Sequence, residues 1–331
     1  MRFLLDDEQA AFARSLDALL TASYTPSTAR AWSTGNHAPG RALWSRLAEA
    51  GVFALAIPEP YEGVGPLPVE LTVAFTELGR HAVPGPLVET VAAAALLSRL
   101  AELGDASSAK RLLPGLASGD STATLAMTDG GPYALDADAA TVTLVVSAAA
   151  APVAELRIAA GHGVAQASAD PARRLSVPTG GGEVLAAGPH VDAAAAYAAD
   201  VARLVTAAQA LGVGLALLDR TVAYVKQRTQ FGTAIGSFQA VKHRLADTLI
   251  GLEFARPLLY GAALSMAPAD IAAAKVTAGE AAYAAARTAL QLHGAVGYTD
   301  ELDLSLWLRK ARPLRDAWGT PGQCRARVLG V

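Results

Sequence analysis

Residues Arg228 to Gln239 read RTQFGTAIGSFQ, and they interrupt what are otherwise two long Ala/Leu/Val-rich helical stretches. The segment holds an arginine, two glutamines, two glycines and two phenylalanines, and no acid. In isolation such a corner is a helix–loop–helix turn, with Gly232 and Gly236 supplying turn geometry and Phe231 and Phe238 plugging an interface. Two features point further. Arg228 stands where one helix closes, and its guanidinium is a two-pronged donor suited to phosphate oxygens. Gln239 stands where the next helix opens, and free backbone N–H groups there favour an anion. Ala289 to Glu301, ALQLHGAVGYTDE, has the same character. Gln291 and His293 end a helix, and Gly294 and Gly297 let backbone approach a ligand closely. The commoner meaning of that second pattern alone is a Gly C-cap and a turn.

The 331 residues suffice for two or three domains with substantial cores. Hydrophobic residues make up 52% and charged residues 17%, which points to large helix–helix contacts within and between subunits. The stretch VETVAAAALLSRLAELG is cut by Glu89, Arg99 and Glu102, so no run is expected to span a bilayer. The start turns acidic at once, with no secretion signal expected. Net charge is −3 and no Lys/Arg stripe forms, which speaks against nucleic acid as a partner. Cys324 is the single cysteine, and no two of the six histidines stand three or four residues apart. No metal site is therefore expected, and a reducing cytoplasm is the expected compartment.

Texture divides the chain into residues 1–118, helical; 119–190, a small β domain; and 191–331, a helical bundle. In the first part Phe12, Leu16, Leu19 and Leu20 form an apolar stripe behind an acidic first turn, and Gly51 is a helix stop. The segments TATLAM, ATVTLVV, AELRIAA, HGVAQAS and RRLSVP read as strands. Helices are expected to about Arg228, from Ser237 to Met266 with a kink at Pro257, from Pro268 to about His293, and as a last pair after Gly297.

In this order, RTQFGTAIGSFQAVKHRLAD, QLHGAVGYTDE and the N-terminal GVFALAIPEPYEGVG resemble the acyl-CoA dehydrogenase family, with Glu62 where that family usually has Gly. The resemblance implies a mostly α fold with an N-terminal helical domain, a shortened β-sandwich and a C-terminal four-helix domain that tetramerises. It also implies FAD at a subunit interface and an acyl-CoA thioester substrate. The nucleotide contacts it carries over are Arg228, Gln230, Phe231, Gln239, Gln291, His293, Gly294 and Thr320, reaching the pyrophosphate and ADP half of a neighbour's FAD.

The family's reaction removes a proton from the acyl α-carbon, which needs a positioned carboxylate of raised pKa. Its usual station precedes a Gly-Thr, and here that position is Trp318. A second station, early in the first long C-terminal helix, is Ala202, although the neighbouring Arg203 is kept. Asp316, Glu253, Glu280 and Glu301 are expected to be solvated or ion-paired acids. The family's β-domain walls are also eroded: Thr128 and Asp129 remain, but no Gly-Ser-Asp follows, and no tryptophan stands between Trp44 and Trp307. Short base-less chains of this kind resemble subunits of heterotetrameric, steroid side-chain acyl-CoA dehydrogenases. The expected partner is a related full-length subunit in an α2β2 assembly. A homomeric flavoenzyme with a relocated base and a flavin-free scaffold are the alternatives.

Overall fold

The protein is described by a computed structural model covering residues 4–127, 130–147 and 154–330. It divides into two compact units, and neither follows the chain continuously. Met1–Pro26, Thr72–Val83 and Thr206–Val331 form one; Ser27–Leu71 and Pro84–Val205 form the other. Three helices, Thr25–Ser33, Pro68–Arg80 and Pro189–Gln227, contribute residues to both units.

In the second unit, α2 (Thr25–Ser33) and α3 (Ala38–Glu49) are followed by two short 3-10 turns, Ala54–Ala56 and Glu59–Tyr61. Glu62 closes the latter with φ +66, a left-handed conformation that favours glycine. After α4 (Pro68–Arg80), the helix α5 (Leu87–Glu102) is buried along nearly its whole length, as a helix apolar on every side must be. Next come α6 (Ser107–Ala117) and the strands β1 (Ala123–Ala126), β2 (Ala134–Leu135), β3 (Val142–Val146), β4 (Glu155–Ile158), β5 (Leu175–Ser176) and β6 (Glu183–Ala187). Strands β1, β3, β4 and β6 form one sheet in that order, and β2 pairs with β5. The β1–β3 pair is parallel, with Leu125 opposite Leu144; the other pairs are antiparallel. Every residue of β1 is buried. The Thr90 hydroxyl on α5 donates to the Ala123 carbonyl at 2.7 Å and accepts its N–H at 3.2 Å, so helix and sheet share one hydrogen-bonded seam.

The structure differs from the strand expectations at HGVAQAS and at two strands the sequence did not signal, β2 and β6. The HGVAQAS segment makes only isolated bridges, His162 to Pro178 and Gln166 to Leu175; its glycine and small polar residues bury too little to hold a ladder. Strand β6 lies directly behind the glycine turn that masked it.

The other unit is helical: α1 (Asp7–Ala22), part of α4, the second part of α7 (Pro189–Gln227), α8 (Gln239–Ser265), α9 (Pro268–His293), α10 (Leu304–Asp316) and α11 (Pro321–Leu329). Helix α1 opens with an Asp6/Gln9 capping box and buries Leu16 and Leu20. Helix α8 continues through Pro257 as one element. Helices α4 and α7 approach through glycine: a Cβ on Gly212 would lie 1.9 Å from the Thr76 carbonyl oxygen, and one on Gly79 2.1 Å from that of Gln209. Contrary to the expectation that no run reaches bilayer length, α7 is long and apolar enough by composition to cross a membrane. Its apolar window is entirely buried within the protein, so that apolarity is accounted for by the core.

Candidate nucleotide site

The segment that breaks the two helices folds as a hairpin. Strands β7 (Thr229–Gln230) and β8 (Thr233–Ala234) pair antiparallel around Phe231 and Gly232, with φ +56 and +79. Two successive positive φ values are what a type I′ turn requires. The Ile235 N–H closes the corner on the Arg228 carbonyl at 2.8 Å. In the plain corner reading Phe231 would plug an interface; within this chain it is 92% exposed at the tip of the tight turn. Phe238 meets it edge-on at 6.3 Å between ring centroids. Arg228, Gln230 and Gln239 are all exposed. Arg228 has no ion-pair partner among the described residues.

One turn before Arg228, Tyr224 stacks on His293, with centroids 4.1 Å apart. Its hydroxyl donates to the His293 carbonyl at 3.4 Å. The two motifs, far apart in sequence, are thereby joined at one end of the helical unit. His293 itself is buried. Its Nδ1 lies 2.8 Å from the Ala289 carbonyl, an acceptor only, so Nδ1 carries the proton there. Burial lowers its pKa from the ordinary 6.5. The imidazole thus positions the loop and does not face outward beside Gln291. Gly294 follows with φ +62, and a Cβ there would meet nothing within 4 Å, which leaves its backbone open to a ligand.

Exposed Gln291 lines a cleft of about 390 Å³ with Arg244, Arg287, Thr288 and Tyr298. The sequence reading passed over both arginines. Arg287 stands one helical turn before Gln291, a spacing that signals a shared face, but Arg244 reaches the cleft from α8, which no local pattern reveals. Thr320 has a local role as the N-cap of α11, accepting the Gln323 N–H and donating to its side chain.

Both stations for the base are closed. Trp318 is 4% exposed, with φ +56, and Ala202 is fully buried. Beside Ala202, Arg203 donates to Asp200 at 2.8 Å as a buried ion pair. Asp316 lies 3.5 Å from Arg312 and 3.4 Å from Arg315. Glu253 pairs with Arg256 and Glu280 with Arg325, and Glu301 is exposed. Thr128 and Asp129 lie outside the described residues. The β unit holds an apolar cleft of about 420 Å³ lined by residues such as Met127, Pro132, Val145 and Val177, with no acid or base among its described lining.

Asp17, Glu77 and His81 gather at metal-ligand spacing. His81 Nε2 is hydrogen-bonded to Asp17 at 2.8 Å, and Arg80 lies 3.5 Å from Glu77. Burial pushes the Glu77 carboxyl up to about 7 and lowers the His81 pKa. The cluster is a self-paired network with a guanidinium beside it, a setting hostile to a cation.

The donor set of the two motifs is of the kind that could hold the phosphate half of a flavin nucleotide. It combines an unpaired guanidinium, amides from Gln230, Gln239 and Gln291, and an open glycine backbone, with no acid among these residues. FAD would be held there by its phosphates.

The profile "Acyl-CoA dehydrogenase, N-terminal domain" matches residues 6–120, and "Acyl-CoA dehydrogenase, C-terminal domain" matches 193–327. "Acyl-CoA dehydrogenase IpdE2" of Mycobacterium tuberculosis is 33% identical over 97% of this chain and 96% of its own length. The ChsE4-ChsE5 complex from Mycobacterium tuberculosis contains a chain of TM-score 0.84 and 25% identity, covering 100% of this chain and 98% of that one. A variant of the "Tcur3481-Tcur3483 steroid ACAD" gives TM-score 0.82 and 25% identity, with 98% and 97% covered.

Proposed function

The chain belongs to the acyl-CoA dehydrogenase family, whose cofactor is FAD, and from that premise we propose that it is the non-catalytic subunit of a heteromeric enzyme. The observation that carries this is an asymmetry. Phosphate-directed donors stay exposed, whereas both base stations hold buried apolar side chains, Trp318 and Ala202. FAD, when bound, supplies the hydride acceptor. The α-proton must go to a carboxylate, and Trp318 has no basic atom to take it. Arg203, tied to Asp200, offers no base either. In the proposed assembly Arg228 and the Gln291–Gly294 loop hold nucleotide phosphates, and a related full-length subunit supplies the carboxylate and the ring pocket.

A surface for that subunit is present. Ile250, Phe254 and Leu258 recur every fourth residue on α8 and stand exposed, Phe254 by 70%. With exposed Leu249 beside Ile250, they leave an apolar stripe on α8 of the kind that marks a protein contact. The solved complex of two named chains and the steroid acyl-CoA dehydrogenase among the similar structures support a two-chain enzyme acting on a steroid-type CoA thioester.

Expression alone and together with a full-length acyl-CoA dehydrogenase subunit tests the proposal. The expected result is flavin and turnover only in the complex, with at most one FAD per pair of unlike chains. A lone chain that carries one flavin per copy and oxidises an acyl-CoA would overturn it.

A further inference from the structure

Most arginines on the last four helices already have an acid. Arg256 is held by Glu253, Arg309 by Asp300, Arg312 by Asp316 and Arg325 by Glu280. Arg244 and Arg287 differ. Both are exposed, neither has an ion-pair partner among the described residues, and both line the same cleft. Two like charges lining one cleft without a carboxylate repel one another, a cost that an anion between them removes. The cleft is concave, and its other polar side chains are those of Thr288, Gln291 and Tyr298, with no acid among its described lining.

We propose that Arg244 and Arg287 form a diphosphate clamp, which takes the ADP end of a nucleotide between α8 and α9. The inference rests on the proposed function for the source of the nucleotide, but its geometry involves neither Arg228 nor the hairpin. Arg287 and Gln291 stand one turn apart on α9, so one ligand reaches both a guanidinium and an amide. Thr248 Oγ1 donates its one proton to the Arg244 carbonyl at 2.9 Å and accepts from the Thr288 hydroxyl at 3.2 Å, which ties the cleft wall of α9 to α8. Guanidinium forks are planar and retain their charge at every physiological pH, which suits two linked phosphoryl groups better than ammonium groups would. FAD and a CoA thioester both present an ADP diphosphate, and the clamp recognises that shared chemistry.

The test uses the full chain and its co-purified complex, each as wild type and as the Arg244→Gln/Arg287→Gln double variant. Calorimetric titration of the chain with inorganic pyrophosphate and with ADP should show binding that weakens as salt is raised. Affinity should fall roughly tenfold or more in the double variant, the scale of one lost charged hydrogen bond or greater. Adenosine should not bind measurably. In the complex, faster FAD loss from the double variant assigns the clamp to the flavin. A raised KM for acyl-CoA at full flavin content assigns it to the substrate. Unchanged pyrophosphate affinity, with FAD retention and KM also unchanged, overturns the clamp while leaving the subunit proposal intact. Conversely, flavin loading and turnover by the lone chain would remove the subunit proposal, and the pyrophosphate titration would still judge the clamp.

Discussion

Tyr224 lies nearly parallel to His293, with an interplanar angle of 22° and 4.1 Å between centroids, and this contact sets the end of α7 against the loop that ends α9. Such a pair contributes about 0.5–1.5 kcal/mol beyond its buried area. Tyr224→Leu keeps an apolar side chain but removes the ring, its stacking and the hydroxyl. The complex carrying it should release FAD several-fold faster, while the melting temperature of the chain drops by only a few degrees. Equal flavin retention in a folded variant would show that the two motifs act independently.

The exposed face of α8 gives a sharper result. Ile250→Asp and Phe254→Asp place a charge where an apolar contact is proposed. Each should weaken association with the partner at least thirtyfold, the equivalent of about 2 kcal/mol or more at a central contact. Because both positions are exposed within the chain, its own stability should shift by less than about 0.5 kcal/mol. Size-exclusion profiles of the two proteins mixed at micromolar concentration read the difference directly.

Asp136 makes stability depend on pH. Its side chain is fully buried, and burial pushes the carboxyl from the ordinary 3.8 up to about 7, with the Glu89 carboxylate adding to the rise. The folded state therefore holds a proton that the unfolded chain has already released. That contribution is fully present below about pH 3.8, declines as pH rises toward 7 and is gone above it. Asn fits the left-handed φ of +52 at this position and keeps an acceptor for the Arg174 N–H at 3.0 Å. Asp136→Asn should flatten the decline and raise unfolding free energy at pH 8 by roughly 2–4 kcal/mol. Denaturant midpoints at pH 5 and pH 8 for both proteins test this; parallel curves would count against it.

Lys275 is buried and donates to three carbonyl oxygens, those of Leu314 at 3.0 Å, Arg315 at 2.8 Å and Gly319 at 3.4 Å. The last two flank Asp316–Trp318, so one α9 ammonium holds the end of α10 in place. Lys275→Met preserves length and removes the donors, leaving those carbonyls unsatisfied. A loss of about 2–4 kcal/mol in urea unfolding is expected. A loss below about 0.5 kcal/mol would mean that water or neighbouring N–H groups satisfy them instead.

What the sequence determined by itself was local and periodic. The long helices followed from apolar spacing, the end of α9 from His-Gly, the hairpin corner from its glycines, and the family from three short motifs; each depends on residues within a few positions of one another. Contacts between distant segments were decided only by tertiary structure. His293 turned inward because Tyr224, 69 residues earlier, covers its ring, and Arg244 and Arg287 line one cleft because α8 and α9 run side by side. Phe231 stayed exposed because no described segment packs over its two-residue turn. Side-chain chemistry is written one residue at a time, but burial and charge pairing belong to pairs brought together from across the chain, and no single stretch of sequence contains them.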